Sequence, residues 1–67
     1  MDKIIKNLEA QLEALRILVK NREDVFNDRS ERWQESEKGE FFNDQTMDIE
    51  SEADDLDSLI DNLKELQ

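Results

Sequence analysis

The chain contains no cysteine and no histidine, and its 67 residues include a single glycine and a single tryptophan. Without cysteine there is neither a disulfide framework nor a zinc–thiolate cluster. Without histidine there is no imidazole for acid–base work or metal ligation near neutral pH. Serine is present, but no base stands ready to activate one, and the lysines lie in acid-rich surroundings, so no nucleophilic catalyst is expected. Long apolar runs are missing too. The start of the chain, Met1 to Lys6, lacks the uninterrupted apolar core of about 7 to 15 residues that a signal peptide needs, and no segment approaches the roughly 20 apolar residues of a membrane span. A soluble, cytoplasmic protein is the expectation.

What the chain has in abundance is negative charge. Nineteen acidic side chains against nine basic ones give a net charge of −10, and 42% of the residues are charged while 36% are hydrophobic. Such a surface repels duplex DNA and anionic lipid, so a charged partner is expected to be basic. At 8.0 kDa the chain is one small unit, near the size at which a core barely offsets the roughly 1.5 kcal/mol of entropy lost per ordered residue. A partner copy is therefore expected. The same composition also suits a disordered chain, so the spacing of the apolar residues has to decide.

That spacing is helical. Sevenfold steps from Ile5 pick out Leu12, Val19, Phe26 and Trp33 as a positions, with Met1, Leu8, Leu15, Arg22, Arg29 and Ser36 at the d positions between them. Sevenfold steps from Phe42 pick out Ile49, Leu56 and Leu63, with Gln45, Glu52, Leu59 and Leu66 at d. Repeats of this kind are the signature of helices packed in coiled-coil fashion. Ile4, Leu18 and Val25 on one tract and Ala53 and Ile60 on the other widen the apolar stripe beyond a two-stranded seam, which suits a bundle. The expected fold is all-α: an antiparallel two-helix hairpin spanning 1–67, with helix 1 over about 2–35, a connector within 34–43 and helix 2 over about 41–66. Two such hairpins are expected to dimerise into a four-helix bundle.

Three features bear on where the chain turns. Lys38 followed by Gly39 reads as a helix C-terminus, whereas Ser36 or Asn43 reads as an N-cap opening the second helix. A turn near Gly39 sets Val19 opposite Leu59 and Leu12 opposite Leu66. A turn near Glu35 and Ser36 instead sets Leu8 opposite Leu63 and Leu15 opposite Leu56. In both registers Arg22, Arg29, Gln45 and Glu52 interrupt the stripe as a polar layer, with Arg22 or Arg29 against Glu52 as the candidate pair. Such layers commonly fix register and oligomer state. Trp33 is expected to be buried beside the turn. Of the adjacent Phe41 and Phe42 only one can face the seam, which leaves the other as a staple or a contact.

The charge is unevenly spread. Residues 1–39 carry eight basic and nine acidic side chains, and residues 40–67 carry ten acidic ones and only Lys64. Asp48, Glu50, Asp54, Asp55, Asp57 and Asp61 form the candidate partner-binding patch. Ten carboxylates over 28 residues of helix is about one charge per 4 Å, close to the roughly 3.4 Å per phosphate of a DNA strand. A calcium loop is not expected, because the Asp54–Asp61 spacing lacks its glycine and closing glutamate. No metal or other cofactor is expected.

Residues 29–40, reading Arg-Ser-Glu-Arg-Trp-Gln-Glu-Ser-Glu-Lys-Gly-Glu, resemble a stretch found in small acidic proteins of bacteriophages and prophages, and the likeness continues more loosely through the acidic tract to Leu66. The resemblance implies a viral or prophage origin and a helical pair, and it brings no catalytic residues with it. Small proteins of that kind often bind and disable host proteins that handle nucleic acid. Taken together, the chain is expected to be a non-catalytic interaction protein of the host cytoplasm. Its acidic helix would bind a basic surface of a host protein, as an inhibitor that mimics nucleic acid. The alternative is a structural coiled-coil scaffold or assembly adaptor.

Overall fold

The computed structural model describes every residue from Met1 to Gln67 and contains three helices, α1 (Asp2–Asp28), α2 (Glu31–Gln34) and α3 (Glu37–Glu65). The long helices α1 and α3 pack antiparallel as a hairpin, with α2 as a single turn of helix at the reversal. The molecule is a rod of 50 × 15 × 11 Å.

On α1 the sevenfold pattern is realised as expected. Ile5 and Val19 are buried, while Leu8, Leu12, Leu15, Arg22 and Phe26 are half-buried along the same line. On α3 the seam runs through Gly39, Phe42, Thr46, Ile49, Ala53, Leu56, Ile60 and Leu63, again in alternating steps of three and four. The a residues expected there, from Phe42 to Leu63, do lie in this seam. The d residues do not: Gln45, Glu52, Leu59 and Leu66 are all exposed, and Gly39, Thr46, Ala53 and Ile60 are buried in their place. The physical reason is the cost of burying the Glu52 carboxylate and the Gln45 amide, several kcal/mol for an unpaired charge. Turning α3 by one position exchanges those two for the small Thr46 and Ala53, at the expense of exposing Leu59 and Leu66.

This phase also sets the register. Arg22 meets Thr46, Arg16 meets Asp57 and Glu9 meets Lys64. Those pairs place the reversal around Glu35 and Ser36 rather than Gly39. Carried along the seam in heptad steps, the Arg22–Thr46 layer sets Leu15 opposite Ala53 and Leu8 opposite Ile60, one layer away from the closer of the two expected registers.

The first helix ends seven residues earlier than expected. Arg29 (φ −81°, ψ 158°) and Ser30 (φ −62°, ψ 153°) are extended, and the Ser30 side chain accepts a hydrogen bond from the Trp33 backbone N–H to start α2. Six residues on, Ser36 repeats the device, accepting from the Gly39 N–H to start α3. Both are serine N-caps, which satisfy donors that a helix start otherwise leaves free. Ser36 is thus the cap, and Asn43 lies inside α3. Gly39 lies inside α3 as well, with no positive φ, so the reading of Lys38–Gly39 as a helix end is corrected.

Gly39 is needed for closeness rather than for turning. A Cβ at that position would overlap the Trp33 carbonyl oxygen and lie 2.7 Å from that of Gln34. Only hydrogen lets α3 start against the backbone of α2.

Candidate functional site

Two constellations stand out, one at the reversal and one along α3. At the reversal, the Trp33 ring lies between Phe26 and Phe42, edge to face with each at centroid distances of 5.9 and 5.8 Å. Arg29 lies over the outer part of this cluster, 4.2 Å from the Trp33 ring, and Arg22 lies 4.1 Å from the Phe42 ring. Gln34 donates from its amide to the carbonyls of Phe26 and Arg29, both at 3.0 Å, and so closes the C-terminus of α1 from the side. Ser36 donates its hydroxyl to the Trp33 carbonyl while accepting from Gly39.

Every residue of the Trp33, Gln34, Ser36, Gly39 pattern therefore has a structural task. Together they form the reversal itself.

The expected polar layer is met by one of its four members in the seam. Arg22 is part-buried and donates to Thr46 Oγ1 at 2.9 Å, to the Phe42 carbonyl at 3.1 Å and to Gln45 Oε1 at 3.3 Å. Gln45 reaches in from an exposed position. Arg29 is the exposed C-cap of α1, and Glu52 is exposed with no ion pair, so neither arginine faces it. Thr46, which sequence reasoning passed over, is the residue that receives Arg22, and its own hydroxyl donates to the Phe42 carbonyl. A small polar residue seven places before Ala53 was the available signal.

Along α3 the six candidate acids do not share one face. Glu50, Asp54, Asp57 and Asp61 follow steps of four, three and four and make one stripe, on the side of the hairpin where Arg16 lies. Asp48 and Asp55 fall on the opposite side of α3, where Glu52 lies between them.

Arg16 reaches Asp57 at 3.3 Å and Asp54 at 3.7 Å, and Lys64 reaches Glu9 at 3.4 Å. These are the only ion pairs, so Glu9, Asp54 and Asp57 alone among the 19 acidic side chains are paired. All are half to two-thirds exposed, where such contacts stabilise by 1 kcal/mol at most, roughly. Arg16 of the same chain thus supplies part of the positive charge that α3 meets.

No three of the acids converge as a metal-binding group, and no helix is long and apolar enough to cross a membrane. No family model, no curated protein and no solved structure matches the chain.

Proposed function

We propose that the chain is a non-catalytic interaction protein that presents the Glu50, Asp54, Asp57 and Asp61 stripe of α3 to a basic surface of another protein, in the place a nucleic acid would take. The observation that supports this reading is a regular row of carboxylates on a rigid helix, opposed by one arginine. Successive carboxylates are separated by about 4.5 to 6 Å of helix rise, and the second row at Asp48, Glu52 and Asp55 adds charge on the other side. A phosphate strand offers one charge about every 3.4 Å, so the stripe is a sparser row of the same sign and straightness.

A helix that holds this much like charge is destabilised by its own repulsion, by about 0.2 to 0.5 kcal/mol for each exposed pair four residues apart. Asp57 with Asp61 and Glu50 with Asp54 are two such pairs. A basic partner relieves that repulsion, and the resulting complex forms fast and weakens with salt. A phage or prophage origin and a place in the host cytoplasm belong to the same reading.

The test is competition with duplex DNA for a basic DNA-binding protein, followed by fluorescence anisotropy of the DNA. The chain is expected to displace DNA at low salt and to lose that ability at high salt. The combined variant Glu50→Gln, Asp54→Asn, Asp57→Asn, Asp61→Asn should lose it at both while keeping its helical circular dichroism. Displacement that persists in this variant, or that ignores ionic strength, overturns the reading. The second reading, a scaffold, is favoured by the apolar residues left exposed beside the seam, and under it the amide variant behaves as the parent does.

A further inference from the structure

The two long flanks of the hairpin carry opposite chemistry. In an antiparallel pair the e positions of one helix border the e positions of the other, and the g positions border the g positions. On the e border Glu9 pairs with Lys64 and Arg16 with Asp57, and Lys6 and Lys20 stand on the row just outside. Charge of both signs meets there within the chain. On the g border, heptad steps give Ile4, Leu18 and Val25 on α1 and Leu59 and Leu66 on α3, all between 44% and 73% exposed. Phe41, also exposed, stands on the row just outside.

Three acids share this second flank. Glu52 lies on the border itself and Asp48 and Asp55 on the row outside it, and none of them makes an ion pair. From Ile4 to Asp28 on α1, and from Phe41 to Leu66 on α3, neither row holds a lysine or an arginine. Arg22 reaches the border from the seam, where its guanidinium is already held by Thr46, Gln45 and the Phe42 carbonyl. Because Arg22 meets Thr46 and Arg16 meets Asp54, the three acids lie alongside the middle of α1. Ile4, Leu59 and Leu66 lie toward the end that holds both termini, and Val25 and Phe41 toward the reversal. The flank therefore reads apolar, acidic, apolar along its length, with Leu18 beside the acids.

We propose that this flank docks a basic amphipathic helix of another protein, which lies along the hairpin as a third helix. Its apolar residues cover the two apolar ends and Leu18, and lysines or arginines in its middle turns face Asp48, Glu52 and Asp55. Ile4 and Val25 are about 31 Å apart along α1, so the docked helix is about 20 residues long. Charge excludes the other occupants. A second copy, itself at −10, would set its own three acids against these, because they lie near the middle of the rod whichever way the copy runs. Anionic lipid is repelled for the same reason. An extended segment would leave main-chain N–H and C=O groups unpaired against aliphatic side chains, whereas a helix satisfies its own and offers ridges that fit the sevenfold spacing here. The Glu50 to Asp61 stripe lies on the other flank, and nothing here rests on what that stripe binds.

The probe is a labelled 21-residue peptide with leucine at its a and d positions, lysine at the e and g positions of its middle heptad and glutamine or alanine elsewhere. Fluorescence anisotropy with the full chain reads its binding, at about 0.15 M salt, where the Debye length is about 8 Å. The lysine peptide should bind roughly tenfold or more tightly than a version with glutamate in place of lysine, and than a scrambled peptide of the same composition. Leu18→Gln with Leu59→Gln should weaken it by roughly tenfold, and so should Asp48→Asn, Glu52→Gln and Asp55→Asn together. All five side chains are exposed in the hairpin, so unchanged circular dichroism is expected alongside. Ile17→Gln, on the outer face of α1, should leave binding unchanged. The amide variant of Glu50, Asp54, Asp57 and Asp61 should change it by about twofold or less, so a failed competition with DNA and a failed docking of the peptide are told apart.

Equal binding of the lysine and glutamate peptides, or of the scrambled one, overturns the proposal. An equal loss in the stripe variant and the flank variant also overturns it, by placing the peptide on the other flank. So does sedimentation of the chain alone as a dimer that Leu18→Gln with Leu59→Gln dissociates, because the flank then belongs to a second copy.

Discussion

At the reversal, Phe26, Trp33 and Phe42 interlock edge to face, Gln34 and two serines satisfy helix ends, and Gly39 admits a backbone contact that no other residue allows. At the opposite end, Ile5, Leu8, Leu12, Ile60 and Leu63 form an aliphatic seam, bordered by the single Glu9–Lys64 pair. The first end is held by directional contacts between particular atoms, the second by area removed from water. Burial is non-directional and tolerates exchange among apolar side chains of similar volume. Hydrogen bonds and close approaches do not. The reversal therefore determines where the hairpin folds back, and the aliphatic end contributes mainly to how firmly it stays closed.

The largest expected break in that comparison is Gly39→Ala. In an ordinary helix interior this change stabilises by about 0.5 to 1 kcal/mol. Here the added methyl meets two backbone carbonyls that cannot rotate aside, and the sign reverses to a loss of about 3 kcal/mol. Urea unfolding followed by circular dichroism reads it. Ile60→Ala, at a residue 2% exposed, should cost about 2 kcal/mol, the low end for aliphatic truncation because a two-helix seam can partly close over the gap. Ile60→Leu should cost about 1 kcal/mol or less. If Gly39→Ala proves neutral, the distinction between a directional end and an exchangeable one is gone.

An effect of intermediate size distinguishes the two caps. Ser36→Ala removes both a donor to the Trp33 carbonyl and the acceptor for the Gly39 N–H, whereas Ser30→Ala removes only the acceptor for the Trp33 N–H of a single-turn helix. Losses of about 1.5 and about 0.5 kcal/mol are expected, within the range of measured cap deletions. Trp33 is the only tryptophan, so its fluorescence reports this end while circular dichroism reports the whole rod. In the Ser36→Ala variant the fluorescence transition should precede the dichroism transition.

What could be read in the sequence follows the same division. The α1 seam was legible because its apolar residues are large and its one polar member, Arg22, is flanked by Val19 and Phe26. The α3 seam was legible by half: Phe42, Ile49, Leu56 and Leu63 lie where the sevenfold steps put them, but Gly39, Thr46 and Ala53 are small and carry little hydrophobic signal, while Leu59 and Leu66 mark a line that Glu52 and Gln45 bar from burial. The break at Arg29 and Ser30 was hidden because Trp33 continues the sevenfold pattern across it, and still packs on Phe26 after the kink. The repeated Ser-Glu start at Ser30 and Ser36 was the signal that marked both helix beginnings. The acidic patch was legible as composition but not as a face: stepping at about 100° per residue separates Asp48 and Asp55 from the Glu50 to Asp61 stripe, and that separation depends on the α3 phase.

The smallest expected effect tests the middle of the rod, where neither kind of end governs. Arg16 reaches Asp54 and Asp57 across the charged flank, with the three side chains half to two-thirds exposed. The loss of such pairs should cost no more than about 0.5 kcal/mol in Arg16→Gln. The same substitution removes the one cation paired with the Glu50 to Asp61 stripe, so repulsion within α3 becomes a larger part of the balance. Added salt screens that repulsion. The variant should therefore gain more stability from salt than the parent does, even though the two differ little at high ionic strength. Melting both chains across a salt series checks this. Parallel curves would mean that the carboxylates on α3 are already too solvated to repel one another, and the strain that a basic partner is expected to relieve would not exist.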